Sequence, residues 1–300
     1  MDNNKLLLVG DNPFLGVSHL SQERAITRDN DLQEPKYCAK LVTLALNNGA
    51  NGFMFTVNER TLEILRYVKN SNNGKPIRLY SLVPYVPEFV RLAATSGGIP
   101  GLAVKLGRQI IFSGNVKALA HGAKGVITNN PADLIKSYLM YEIFRLRSAT
   151  GREIKPISIM WHEVITDMAI SLNMRWFFNT HINFMIKKGI KPGFETRNLS
   201  FLVKRFEEWG IDLGNVSIAA PFNATGFQMC PSKDEYEKAL SKHPEAEIIG
   251  FSILAAGYLN LNQATEYIKQ IPDIKGIAVG VSKEHHARET FKTIQEQLNK

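Results

Sequence analysis

The sequence predicts a single domain folded as a closed (β/α)8 barrel, and three observations predict it. Apolar runs of strand length alternate with stretches of helical spacing from one end of the chain to the other, and eight such pairs can be marked. That alternation calls for a parallel sheet covered by helices, and eight units of this length suit closure better than an open, doubly wound sheet. The 300 residues suit one barrel, and no shift in composition marks a second domain. The last two units supply the third observation. Residues 248–257 read IIGFSILAAG, and residues 276–291 read GIAVGVSKEHHARETF. The second passes through Gly280 and Ser282 into a charged helical pattern. A strand that opens a helix this way leaves backbone N–H groups free for an anion, and phosphates commonly bind after the last two strands of such barrels.

The remaining elements follow in order. LLLVG (6–10) reads as a buried strand ended by Gly10, and a long loop covers 11–35. Residues 36–48 carry helical spacing up to Gly49. NGFMFTV (51–57) is the second strand, with a helix from Glu59 to about Val68. IRLYSLV (77–83) is the third, ended by Pro84 and Pro87, and a long, glycine-rich loop spans 84–115. KGVITN (124–129) reads as the fourth strand, and Pro131 opens a helix over 131–150. IKPISIMW (154–161) reads as the fifth, followed by an aromatic-rich helix over 165–187. GIKPGFETRN (189–198) reads as a connection rich in turn residues, with Thr196 or Asn198 as cap for the helix that stops at Gly210. VSIAAPF (216–222) is the sixth strand, and Ser232 with Glu235 forms a capping box for the next helix.

Apolar content of 44% and charged content of 21% are those of an ordinary soluble globular chain. No apolar run reaches membrane-spanning length and no signal peptide is read, so the expected location is the cytoplasm. Cys38 and Cys230 lack metal or redox spacing and are expected to be idle thiols. The net charge of +8 suits small acidic ligands, but it is spread over many helices, so no nucleic acid or membrane partner is expected. The aromatic set in 165–187 reads as core packing or a homo-oligomer contact.

In a barrel, reacting groups come from the C-terminal ends of strands. That rule selects Asp11, His19, Tyr80, His162 and Glu163 as candidate catalytic groups. Asn12, Asn129 and Asn223 are candidate substrate ligands, and Ser252, Gly280, Ser282, Lys283 and Arg288 candidate anion or cofactor ligands. His162 can exchange a proton near neutral pH, with Glu163 or Asp11 to orient it. The competing readings are a structural histidine, hydrogen-bonded in the core, and an Asx turn at Asp11-Asn12-Pro13. Histidines and carboxylates on one rim could also hold a divalent metal. His162 and Glu163, however, are neighbours and would point opposite ways from a strand, so spacing defines no metal site.

FSILAAGYL (251–259) and GVSKEHHARETF (280–291) resemble the seventh strand and the eighth strand and helix of the aldo-keto reductase superfamily. The match covers about residues 248–292, and NGFMFTVNERTLEIL is similar, more faintly, to that family's second unit. The resemblance implies a TIM barrel and an NADP 2′-phosphate held by Ser282 and Lys283. Its catalytic tetrad does not carry over. The aspartate position falls on Phe55 or Thr56, the tyrosine has no counterpart, and the lysine falls near Tyr80 or Ser81. By sequence count the strand-four histidine falls on Asn129.

The expectation is an enzyme moving protons on a small anionic or phosphorylated metabolite. One alternative is an NADP-dependent reductase with a rebuilt proton donor, drawn from Tyr80, Tyr85 or His162. The other is a non-catalytic barrel that binds a ligand or partner. A divalent metal is the weaker cofactor alternative.

Overall fold

The short apolar runs form eight parallel strands: β1 (Leu6–Gly10), β2 (Gly52–Thr56), β3 (Arg78–Val83), β4 (Pro156–Trp161), β5 (Lys191–Glu195), β6 (Ser217–Pro221), β7 (Glu247–Phe251) and β8 (Gly276–Gly280). Each pairs with the next, and β8 returns to β1 with Leu6 opposite Gly276 and Gly10 opposite Gly280, closing the barrel. The computed structural model describes residues 5–16, 32, 34–71, 76–97, 130–151 and 154–298. Among these the helices are α1 (Pro35–Asn47), α2 (Glu59–Ser71), α3 (Val86–Thr95), α4 (Pro131–Thr150), α5 (Glu163–Ser171), α6 (Arg175–Lys187), α7 (Leu199–Trp209), α8 (Lys233–Ser241), α9 (Leu261–Lys269) and α10 (Glu284–Leu298). No helix among the described residues is long and apolar enough to cross a membrane.

Alternate residues of each strand face opposite sides, so the barrel has two apolar layers. Leu8, Met54, Leu82, Met160, Ala219, Ile249 and Ala278 pack inside the barrel. Leu7, Val9, Phe53, Phe55, Ile159 and Phe194 face the surrounding helices and join the larger outer core. The strands are therefore buried on both sides, which is why they read as continuous apolar runs.

Two expectations are corrected. β3 pairs directly with 156–161, with Tyr80 opposite Ser158 and Val83 opposite Trp161, so the expected fifth strand is the fourth. The expected strand at 124–129 lies outside the described residues. The fifth strand is instead Lys191–Glu195, inside the stretch read as a connection. Lys-Pro-Gly looks like a turn, but the surroundings make it a strand. A Cβ on Gly193 would sit 2.1 Å from Met160 Cγ, so only glycine leaves room for that inward side chain. The Gly193 N–H donates to Nε2 of buried His181 at 3.3 Å. Phe194 is enclosed by Phe178 and Phe206, with ring centroids at 5.2 and 5.3 Å.

The expected helix over 165–187 is two helices, broken at Asn173, whose φ of 54° is left-handed. Phe177, Phe178, Phe184 and Met185 are buried, as core packing requires. Val164, Met168, Leu172 and Trp176 remain exposed. Gly210 ends α7 in the left-handed region, as expected, and the Ser232 hydroxyl caps α8 by accepting from the Glu235 N–H, which is one half of the expected capping box. Asn198 occupies the N-cap position of α7 without a side-chain bond, and the Thr196 hydroxyl accepts from the Asn198 N–H.

Gly193→Val is expected to destabilise the fold by about 1–3 kcal/mol or more, the range for overpacking a filled core. Chemical denaturation against the parent chain checks this, and an unchanged midpoint would contradict the tight fit against Met160.

Candidate active site

Strand ends dictate what stands at the top of the barrel. There, β1, β7 and β8 and their loops wall a cavity of about 300 Å³, lined by Gly10, Asp11, Asn12 and Pro13, by Phe251 to Leu254, and by Ala278 to Gly280. Met54 and Leu82 form its apolar floor, and Glu195 reaches it from the end of β5. Gly280 is small for a reason: a Cβ there would stand 2.7 Å from Pro13 Cδ. That close approach holds the Asp11-Asn12-Pro13 turn across the β1–β8 seam. The opposite wall is backbone in an unusual state, since Ser252, Ala255 and Ala256 have φ of 53°, 45° and 58°. Left-handed conformations at non-glycine residues tend to cluster at functional sites.

The ionisable side chains lining this cavity, among the described residues, are the carboxyls of Asp11 and Glu195. Both are nearly enclosed, at 4% and 8% exposure. Asp11 follows β1, and its Oδ2 accepts the backbone N–H of Thr56 at 2.7 Å. Burial pushes its pKa up to about 7, with the Thr56 bond opposing the rise. The Glu195 Oε2 accepts the backbone N–H of Glu163 at 3.1 Å. Burial, then the nearby Glu163 charge, push its pKa up to about 8, and the Glu163 N–H bond and Arg197 oppose the rise.

His162 follows β4 with its Nε2 3.9 Å from Glu195 Oε2. Its Nδ1 caps α5 by accepting the Val164 N–H at 3.3 Å, so the neutral ring carries its proton on Nε2, towards Glu195. Burial lowers the His162 pKa, the Glu163 charge opposes this, and Arg197 adds to it. Glu163 is bound by Arg197, Nε to Oε2 at 2.6 Å, and its charge acts on both His162 and Glu195. The two neighbours lie at a helix start, not in a strand, and Glu195 is a second carboxyl beside His162. Sequence reasoning misses Glu195 and Arg197 because both lie in the stretch read as a connection.

The other expected residues divide. Asn12 and Ser252 line the cavity, and the Ser252 hydroxyl reaches Gln228 Oε1 at 3.5 Å. Tyr80 is corrected: it pairs with Glu247, the first residue of β7, so its hydroxyl lies at the opposite end of the barrel. Burial and Glu247 raise its pKa. Tyr85 is near enough to Asp11 for that charge to raise its pKa, after burial. Asn223 is corrected too. Its amide is spent inside its own loop, donating to Phe227 O and accepting from Thr225 Oγ1 and Phe227 N. Gly280 lines the cavity, whereas Ser282, Lys283 and Arg288 do not. The first residue of α10 is Glu284, which binds Lys40 at 2.6 Å and Arg288 at 3.7 Å, so that helix start already holds a carboxylate. His19 and Asn129 lie outside the described residues. No group of three or more His, Cys, Asp or Glu able to hold a metal occurs among the described residues.

The fold defines the protein as a TIM barrel. A structure from Pseudomonas aeruginosa, provisionally assigned as an aldo-keto reductase, is similar to it with a TM-score of 0.57 at 11% identity, over 97% of this chain and 90% of that one. A second structure with the same assignment and organism gives 0.55 at 12%, with the same coverage. A structure from Anabaena variabilis, provisionally assigned as a sugar phosphate isomerase/epimerase, gives 0.50 at 10%, over 99% and 97%. No protein-family model and no curated protein sequence matches the chain. The residue after β4 is His162. The last residue of β2, Thr56, has its N–H held by Asp11 from the neighbouring strand.

The two buried carboxyls give a pH signature in stability. Below the ordinary values of 3.8 for Asp11 and 4.5 for Glu195, both are protonated whether or not the chain is folded. As pH rises the unfolded chain ionises first, so the folded state loses stability until about 7 and about 8 are passed. Asp11→Asn and Glu195→Gln are therefore expected to melt at higher temperature than the parent at alkaline pH, with a smaller gap at acid pH. A gap independent of pH would contradict the assignment.

Proposed function

We propose that the barrel is an enzyme that moves protons on a small metabolite held between Asp11 and Glu195. The observation that supports this reading is a pair of enclosed carboxyls in one cavity at the C-terminal rim, with proton affinities raised into the neutral range. Catalytic acids and bases need such affinities. Near neutral pH burial lets the pair hold a proton between them, so that one carboxyl can give a proton while the other takes one. His162 stays neutral and offers its Nε2–H towards Glu195. The cavity of about 300 Å³ suits a small metabolite, at the lower end of ligand-pocket sizes. Proton abstraction and return of this kind belongs to isomerase or lyase chemistry. An anionic or phosphorylated end of the substrate would lie outward, where the Ser282 hydroxyl and the exposed Lys283 stand clear of the acid-lined cavity.

An NADP-dependent reductase is the second reading, favoured by the fold likeness and by His162 after strand four. Ser282 and Lys283 fit a 2′-phosphate by their chemistry. The proton donor would be Glu195 or His162, since no tyrosine hydroxyl among the described residues lines the cavity. A non-catalytic binding barrel, or a homo-oligomer formed through the exposed side chains of α5 and α6, remains the third.

Deuterium exchange from heavy water into small hydroxycarbonyl metabolites, followed by NMR, tests the first reading whatever the product. Asp11→Asn and Glu195→Gln are each expected to slow exchange by roughly 100-fold or more. Exchange that survives both changes would overturn it. Fluorescence titration with NADPH tests the second: binding weakened by Ser282→Ala and Lys283→Glu would support it, and absence of binding would sink it.

A further inference from the structure

We infer that Arg197 is a positioning residue which, together with Glu163, sets how tightly Glu195 and His162 hold their protons. The inference rests on the acid/base reading of the site and deepens it. Thr196 and Arg197 directly follow Glu195, the last residue of β5. They bind the first turns of α5 at two points. The Arg197 guanidinium holds Glu163 at 2.6 Å, and the Arg197 N–H and the Thr196 hydroxyl both donate to Asp167. Glu163 and Asp167 are four residues apart, on one face of the helix. This two-point clamp fixes the start of α5. It therefore fixes the Glu163 N–H that holds Glu195 and the His162 ring that caps the helix.

The clamp also carries two opposite charges next to the pair. The charged or titratable groups facing Glu195 are Glu163 from α5, Arg197 beyond β5, Asp11 beyond β1 and His162 beyond β4. A cation favours the ionised form of Glu195 and opposes the protonated form of His162, and an anion does the reverse on both. Arg197 and Glu163 therefore oppose one another at each group. Removing one exposes the other, and the two removals must act with opposite sign.

The test is an NMR titration of the His162 ring and the Glu195 carboxyl in the purified full chain, without substrate. Arg197→Gln is expected to raise both midpoints by about one pH unit, the low end for a neighbouring charge. Glu163→Gln is expected to lower both, the double variant to return near the parent, and Arg197→Lys to keep most of the parent behaviour. Damage to the fold would not give opposite shifts from two neutral replacements. Midpoints that move the same way in both single variants, or in neither, would overturn the inference. Should Arg197→Gln fail to fold, the downward shift in Glu163→Gln and the retention in Arg197→Lys still decide it. The titration is read without turnover, so it fails separately from the acid/base reading. Opposite shifts with unimpaired exchange in Glu195→Gln would sink only that reading.

Discussion

The upper cavity of this barrel depends on keeping two carboxyl groups out of water at one end of a closed sheet. Burying a carboxyl strongly disfavours its charged form, and a fold meets that cost by leaving the group protonated or by supplying donors. Both devices are present. Thr56 gives Asp11 one backbone N–H and Glu163 gives Glu195 one, and neither carboxyl receives a cation of its own among the described residues. The guanidinium near Glu195, on Arg197, is engaged by Glu163. Closure of the barrel through β8 and β1 brings Asp11 to the same cavity as Glu195, although the two are carried by strands that do not touch. The departures from local rules gather at this cavity, and the left-handed turn after β7 adds a third at the same place.

The barrel is legible in the sequence because two-sided burial writes itself as apolar runs. The fifth strand is not legible. Lys191-Pro192-Gly193 carries turn chemistry, and what makes it a strand is tertiary: Met160 fills the space over Gly193, His181 takes its N–H, and aromatic rings close over Phe194. No window of sequence contains those partners. That miss conceals Glu195 and Arg197. Asp11 and His162 are legible from position alone, as polar groups just beyond apolar runs. Tyr80 is misplaced because strand parity gives the face but not the height, and its hydroxyl finds Glu247 at the far end.

The fold likeness and the site speak to different questions. At 11% identity the first of the aldo-keto reductase structures shares an architecture with this chain, and an architecture hosts many chemistries. The shoulder after β8 carries Ser282 and Lys283, while the cavity beside it is acidic. A ligand spanning both would put its anionic end outside and its reacting end between the carboxyls.

The most direct measurement is infrared spectroscopy of the parent chain and Glu195→Gln from about pH 5 to about pH 9, a range that begins above the ordinary carboxyl values and passes the raised ones. The account predicts a protonated-carboxyl band that persists at neutral pH, fades towards the alkaline end and is weakened in Glu195→Gln, where Asp11 supplies the remainder. A band already lost at the acid end of the range, as for an ordinary exposed glutamate, would contradict it.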